Sequence, residues 1–245
     1  MGYQAASTYA ELIAPRYAPI ADALVEAAAL GERDDVLELG AGTGLVTARV
    51  APRVRSLVAT DLSEGMLALA RDSIPPLPGL TFALVDYGKR LPFLDGSFDV
   101  VLSGLTYVQD AREPLREIVR VLRPGGRLAI AMWGNAYHEL RLLSDAFEAI
   151  GLPRIPSPAP GRAMRRLEHA GFRSVTRNEL RLVNRFESVD AYIAYRRGFG
   201  IPVDWTRATY ERFLRVLRRD ASRDADGDGT FELGWTLAII TATRR

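Results

Sequence analysis

The stretch that most constrains this chain is Glu38-Leu-Gly-Ala-Gly-Thr-Gly44, which follows the short apolar run Val36–Leu39. Glycines between a strand and a helix let the backbone turn sharply and approach a ligand closely. The spacing is G-x-G-x-G. A dinucleotide fingerprint is G-x-G-x-x-G, and its third glycine would fall on Leu45 here. A tight turn with no ligand is the bland alternative, and two downstream acids weigh against it. Asp61 ends the next apolar run, 21 residues after Gly40, and a carboxylate there can accept from both hydroxyls of a ribose. Its competing role is a helix cap, for which Ser63 is better placed. Asp86 follows the third run and suits an exocyclic amino group, with a solvated loop acid as the plainer reading.

The rhythm around that turn is strand alternating with helix. Ser56–Thr60, Leu80–Leu84, Phe98–Leu102 and Arg127–Met132 are short apolar runs of the kind a parallel sheet covers on both faces. Between them, Thr43–Val50 reads as a helix, Ser63 caps another to Arg71, and Asp110 with Glu113 resembles a capping box. The last of these carries Leu115, Ile118, Val119 and Leu122 on one face and stops at Pro124-Gly125-Gly126. Such alternation predicts right-handed crossovers and a doubly wound sheet. A helix over Ala18–Leu30 precedes it. Beyond Gly134 the spacing predicts helices over 136–150 and 161–170, separated by a loop with Pro153, Pro156, Pro158 and Pro160. It then predicts a strand over 172–186, helices over 188–197 and 206–219, and a closing strand over 235–243. The expected organisation is one domain over 1–245, with a core at 34–133 and a cap insertion at 185–230.

Composition narrows the chemistry. There is no cysteine, which excludes disulfides, thiolate metal sites and a cysteine nucleophile. The net charge of +2 is too small to demand nucleic acid or a membrane surface. No apolar run reaches the roughly 18 residues of a membrane span. The first ten residues lack a signal-peptide core, so a cytoplasmic location is expected. Asp224-Ala-Asp-Gly-Asp-Gly229 has the opening spacing of a calcium loop, but its twelfth position is Trp235 rather than a bidentate glutamate, and it is read as a polar turn with no metal. The arginines between Arg185 and Arg223 are interleaved with acids and read as a solvated helix face.

Four segments in order, Val36–Gly44, Ala59–Met66, Leu91–Val101 and Val121–Gly126, resemble the successive motifs of class I S-adenosylmethionine-dependent methyltransferases. The likeness covers roughly residues 34–133 and is strongest to the small-molecule branch that includes ubiquinone and menaquinone biosynthesis enzymes. It implies a Rossmann-like seven-stranded sheet, mostly parallel with the last strand antiparallel, plus a helical cap. It also implies S-adenosylmethionine as cofactor and a small organic methyl acceptor, with the atom methylated (O, N or C) and the oligomeric state left open. By this resemblance Gly40, Ala41, Gly42 and Gly44 meet the amino-acid end of the cofactor and Asp61 holds its ribose. Leu62 and Met66 flank the adenine, Asp86 and Tyr87 address its edge, and Ser103 and Gly104 lie near the methionine end. Tyr9, Tyr17 and Trp133 are candidates to contact the acceptor.

No catalytic base is fixed by these motifs. Displacement at a sulfonium methyl can run on positioning and desolvation, with a base needed only where the acceptor must lose a proton. Tyr107, after the fourth strand, and His138, after the fifth, are the candidates, with packing or surface roles as alternatives. His169 precedes Gly171 and reads as a helix C-terminal cap. Three rivals stay in view. A nicotinamide-dependent oxidoreductase is opposed by Leu45 and the 91–101 run. A non-catalytic S-adenosylmethionine-binding protein would differ only in lacking turnover. An RNA methyltransferase is disfavoured by the small net charge and by Ser103-Gly-Leu-Thr106, where base-amine methyltransferases carry an acid or Asn before Pro-Pro.

Overall fold

The computed structural model describes residues 11, 13–106, 108, 111–199, 202 and 204–245, with the backbone alone at 135–137. A short 3₁₀ turn at Ala14–Tyr17 leads into α1 (Ala18–Ala27). Then follow β1 (Asp35–Leu39), α2 (Thr47–Val50), β2 (Ser56–Asp61), α3 (Glu64–Ser73), β3 (Leu80–Leu84), β4 (Phe98–Gly104) and α4 (Arg112–Val121). The second half holds β5 (Leu122–Tyr137), α5 (His138–Ala149), α6 (Pro160–Ala170), β6 (Phe172–Phe186), α7 (Val189–Arg197), α8 (Arg207–Asp224) and β7 (Phe231–Arg244).

The strands form one seven-stranded sheet in the order β3-β2-β1-β4-β5-β7-β6. β1, β2, β3, β4 and β5 pair in parallel, and β7 runs antiparallel to both neighbours, β5 and β6. This is the sheet the sequence predicts, with the closing strand inserted between its two predecessors.

Period-two alternation divides the central strands between two cores. Val36, Val100, Leu102, Ala129 and Ala131 face a core shared with α1, α5, α7 and α8. Leu37, Leu39, Val101, Leu128 and Ile130 face the other, with α4 and α6. The helix ends follow local chemistry. The Ser63 hydroxyl accepts from Met66 N at 3.3 Å, Ser188 from Ala191 N at 3.1 Å, and Thr206 from Thr209 N at 3.1 Å. α6 starts with Pro160 in its first turn and ends at Gly171, whose φ of +108° makes the left-handed C-terminal cap. His169 Nδ1 lies 2.6 Å from Arg165 O in that last turn.

Two expectations shift. α4 begins after Ala111 with no side-chain cap bond, and Asp110 lies outside the described residues. α8 and β7 are longer than predicted, because Asp220 and Ala221 extend the buried face of α8 and Phe231 and Leu233 extend that of β7.

Charge sits at the opposite end of the sheet from the glycine turn. Asp35, at the start of β1, is held by Arg55 and, at 3.0 Å, by Arg123, which also reaches Asp99 at 2.5 Å. The hydrogen bond from Arg55 is the main reason its carboxyl stays far below the usual carboxylate range. The Leu91–Ser97 loop is stitched to α4: Leu91 N donates to Glu117 at 2.9 Å, and Arg120 donates to Leu91 O and Phe93 O. These contacts leave the C-terminal strand ends clear for a site, at the point where the strand order reverses between β1 and β4.

Candidate active site

At that reversal lies a cavity of about 540 Å³. β1 and the turn after it contribute Glu38, Gly40, Ala41, Gly42 and Thr43. The end of β2 contributes Asp61, Leu62 and Ser63, and α3 contributes Met66. Gly104, Leu105 and Thr106 close it from β4, with Tyr17 and Leu24 from the α1 side and Tyr87 from the loop after β3.

The glycines have separate duties. Gly40 (φ +78°) and Gly42 (φ +57°) adopt the left-handed conformation. A Cβ on Gly40 would come 2.2 Å from Thr106 Cγ2, so the turn and the end of β4 touch directly. A Cβ on Gly42 would meet nothing within 4 Å. Gly44 has a packing duty: it is not among the described cavity-wall residues, and a Cβ there would run into Ile74 Cδ1 at 2.6 Å. Its smallness lets α3 pack against the turn.

Asp61 holds the turn in place. One oxygen accepts from Gly42 N at 2.8 Å and the other from Ser63 N at 2.9 Å. A carboxylate offers about four acceptor positions, so two remain for a ligand. Leu62 is 65% exposed on the cavity rim, and Met66 is buried in its wall.

Glu38 is a wall residue that the motif spacing does not single out. Its position shares the parity of Val36, which sends the side chain into the apolar core beside α2. There Thr47 donates to Glu38 at 2.6 Å. Burial pushes its carboxyl up to about 7; the Thr47 bond opposes that rise, and the nearby Asp61 charge adds to it. A charged residue inside an apolar strand run was the available signal.

A second cavity, of about 570 Å³, shares Leu105 and Thr106 with the first. Its wall comes from Met132 and Trp133 of β5, Leu140 and Leu143 of α5, the 155–159 loop, and Arg162 and Arg166 of α6. Leu105 bends the chain at the shared seam with φ +55°, a conformation non-glycine residues seldom hold and one that clusters at functional sites. Its N–H donates to Ala131 O at 2.8 Å. Tyr17 and Trp133 meet edge-on at 6.2 Å, each also against buried Trp235, and so join the walls of the two cavities.

Three candidates lie elsewhere. Asp86 turns back on its own loop, accepting from Gly88 N at 2.9 Å and pairing with Lys89 at 3.3 Å, and is not among the described cavity walls. Ser103 is fully buried and bonded to the Thr106 hydroxyl, so Thr106 rather than Ser103 faces the cavity. His138 lies on the surface, with Nε2 3.2 Å from Asp224 on α8 and Arg141 alongside, and it lines neither cavity. Tyr9 and Tyr107 lie outside the described residues. The 224–230 segment is a self-bonded turn in which Thr230 donates to Asp228 at 2.9 Å and 2.8 Å.

A methyltransferase-domain family model matches residues 37–130. The chain is 38% identical over 129 residues to a demethylmenaquinone methyltransferase of Corynebacterium glutamicum, covering 48% of this chain and 54% of the relative. It is 42% identical over 119 residues to one from Mycolicibacterium vanbaalenii, covering 47% and 49%. The chain thus spans about half the length of the curated relatives it matches. Among solved structures, YcgJ of Bacillus subtilis superposes with a TM-score of 0.67 at 18% identity, covering 92% of this chain and 97% of that one. Haemonchus contortus phosphoethanolamine N-methyltransferase 2, in complex with S-adenosyl-L-methionine, superposes at 0.58 and 17% identity, covering 92% and 52%. These likenesses do not favour the nicotinamide alternative. The glycine turn, the Asp61 strand end and the sheet order all fall within or around the matched segment, so residues 37–130 resemble a methyltransferase domain and the whole chain shares the fold of such proteins.

Proposed function

We propose that this protein transfers the methyl group of S-adenosylmethionine to a small organic acceptor, with the cofactor in the first cavity and the acceptor in the second. The observation that carries this reading is the seam: two cavities of similar size meet at Leu105 and Thr106, directly beyond the glycine turn. The relatives act, by name, on a demethylated menaquinone, and a small and largely apolar acceptor suits the second cavity too. The reading also has the protein act in the cytoplasm. No helix among the described residues is long and apolar enough to cross a membrane.

The residues fit the cofactor. The Gly40–Gly42 turn allows close backbone approach, Asp61 keeps two acceptor positions for ribose hydroxyls, and Leu62 with Met66 offers an apolar slot for a flat ring. Glu38 adds a buried carboxyl beside a site for a cation. When bound, the cofactor supplies an electrophilic methyl carbon. The chain's own contribution is alignment and dryness: Leu105 and Thr106 line both cavities, and the edge-on pair of Tyr17 and Trp133 joins their walls. Neither seam side chain titrates near neutrality, so positioning carries the rate. Where the acceptor must lose a proton, Tyr107, next in sequence to the seam, is the residue for that task.

Calorimetry with S-adenosylmethionine, S-adenosylhomocysteine and NAD tests the reading. Roughly micromolar binding of the first two is expected, with no comparable binding of NAD. Tight NAD binding with the other two silent would overturn it.

A further inference from the structure

The second cavity is apolar on most of its wall, with Met132, Trp133, Leu140, Leu143 and Ile155. Its charged lining is of one sign. Arg162 and Arg166 lie four residues apart on α6, so their side chains share a face of that helix. No carboxylate occurs among the described lining residues of this cavity. Arg162 has no ion pair among the described residues, whereas Arg154, one loop earlier, is paired with both Asp145 and Glu148. The first turn of α6 carries no acid either, so the positive end of the helix is not neutralised locally. Both arginines line the second cavity and not the first, which sets them apart from the seam at Leu105 and Thr106.

Resting on the two-cavity reading above, we propose that the acceptor is an apolar carboxylic acid whose carboxylate is held by Arg162 and Arg166, while the atom to be methylated reaches the seam from its other end. A planar guanidinium matches a carboxylate with two parallel hydrogen bonds, and a partly enclosed site strengthens them. The carboxylate is a handle in this arrangement, because the guanidiniums lie off the seam. A neutral quinone would offer Arg162 no matched group.

A rigid probe pair tests this: 6-hydroxy-2-naphthoate and its primary amide, titrated calorimetrically into protein saturated with S-adenosylhomocysteine. The expected result is that the carboxylate binds at least about tenfold tighter than the amide. In Arg162→Gln/Arg166→Gln the preference should vanish while amide and S-adenosylhomocysteine affinities stay within about twofold. Equal binding of the two probes, binding of neither, or a preference that survives in the double variant would overturn the proposal while leaving the cofactor reading intact. Failure of S-adenosylhomocysteine to bind at all would overturn both. The Arg162→Gln single variant separates a folding defect at half-buried Arg166 from loss of the anion contact. A reduced preference is expected there, and an unchanged one counts against the handle.

Discussion

The two cavities that meet at Leu105 and Thr106 are built by different means. The first is made by backbone: a glycine turn, two strand ends, and a carboxylate that spends two hydrogen bonds holding Gly42 and Ser63. Its parts lie within residues 38–87, apart from the β4 end and α1. The second is made by side chains from β5, α5 and α6, set by helix packing. A site meant for one constant ligand can be written into local backbone geometry. A site that must suit a particular acceptor depends on packing that varies from one enzyme to the next.

The sharpest way to break this comparison is where the glycine turn touches the seam. Gly40→Val puts a β-branched residue at φ +78° and drives its Cβ into Thr106. We expect a stability loss of about 3 kcal/mol or more in denaturant melts, and loss of cofactor binding. Gly42→Ala, at φ +57° with open space around the new methyl, should cost only about 1 kcal/mol in stability. Equal costs for the two would mean that Gly40 does not brace the seam.

Glu38 sharpens the comparison through pH. Its folded carboxyl titrates near 7 against an ordinary value of 4.5. Between those values the folded state keeps a proton the unfolded state has released, so stability falls as pH rises across that window and levels off above about 7. The full loss corresponds to roughly 3 kcal/mol. Glu38→Gln should flatten that dependence in chemical denaturation at pH 5 and pH 8. Affinity for the cationic cofactor should rise with pH through about 7 in the wild type, since the positive charge favours the ionised carboxylate, and stay flat in the variant. Parallel pH profiles for the two proteins would remove Glu38 from the site.

Asp61→Ala should weaken S-adenosylhomocysteine binding by about 1.5–3 kcal/mol, the scale of hydrogen bonds to a charged group. It also frees Gly42 N and Ser63 N, so Asp61→Asn is the cleaner probe. A folded Asp61→Asn that binds normally would show that the turn, not the carboxylate charge, does the holding.

The same division decides what could be read from sequence. Gly40, Gly42 and Asp61 act through backbone conformation at strand ends, which spacing encodes directly, and the sheet followed from the alternation of runs. Asp86 also carries a local signal for its plainer role: Asp86-Tyr-Gly-Lys89 is a turn in which the acid bonds two residues on. Ser103 is the residue the spacing marks and Thr106 is not, because which of them faces the cavity depends on the bend at Leu105. Arg162 and Arg166 carry no signal of their own in the helix predicted over 161–170, since their cavity exists only once α6 packs beside β5.

His138 is where sequence and structure differ most, and it carries the smallest expected effect. In sequence it follows the fifth strand beside two aromatic residues, a place from which a side chain could reach the transferred methyl. In the fold, α5 starts at His138 and directs its ring to Asp224, 86 residues away and at the end of α8. Arg141 already pairs with that same carboxylate, so removing the imidazole leaves Asp224 with a partner. Partly exposed pairs of this kind are worth about 0–1 kcal/mol. His138→Ala should therefore melt within that margin of the wild type, bind cofactor equally, and turn over within a few-fold. A general base is worth roughly a hundred- to ten-thousandfold in rate, so the two possibilities are far apart. A hundredfold fall in turnover with cofactor affinity unchanged would mean that α5 rotates His138 into the second cavity during the reaction, and the side-chain-built cavity would then contribute chemistry as well as fit.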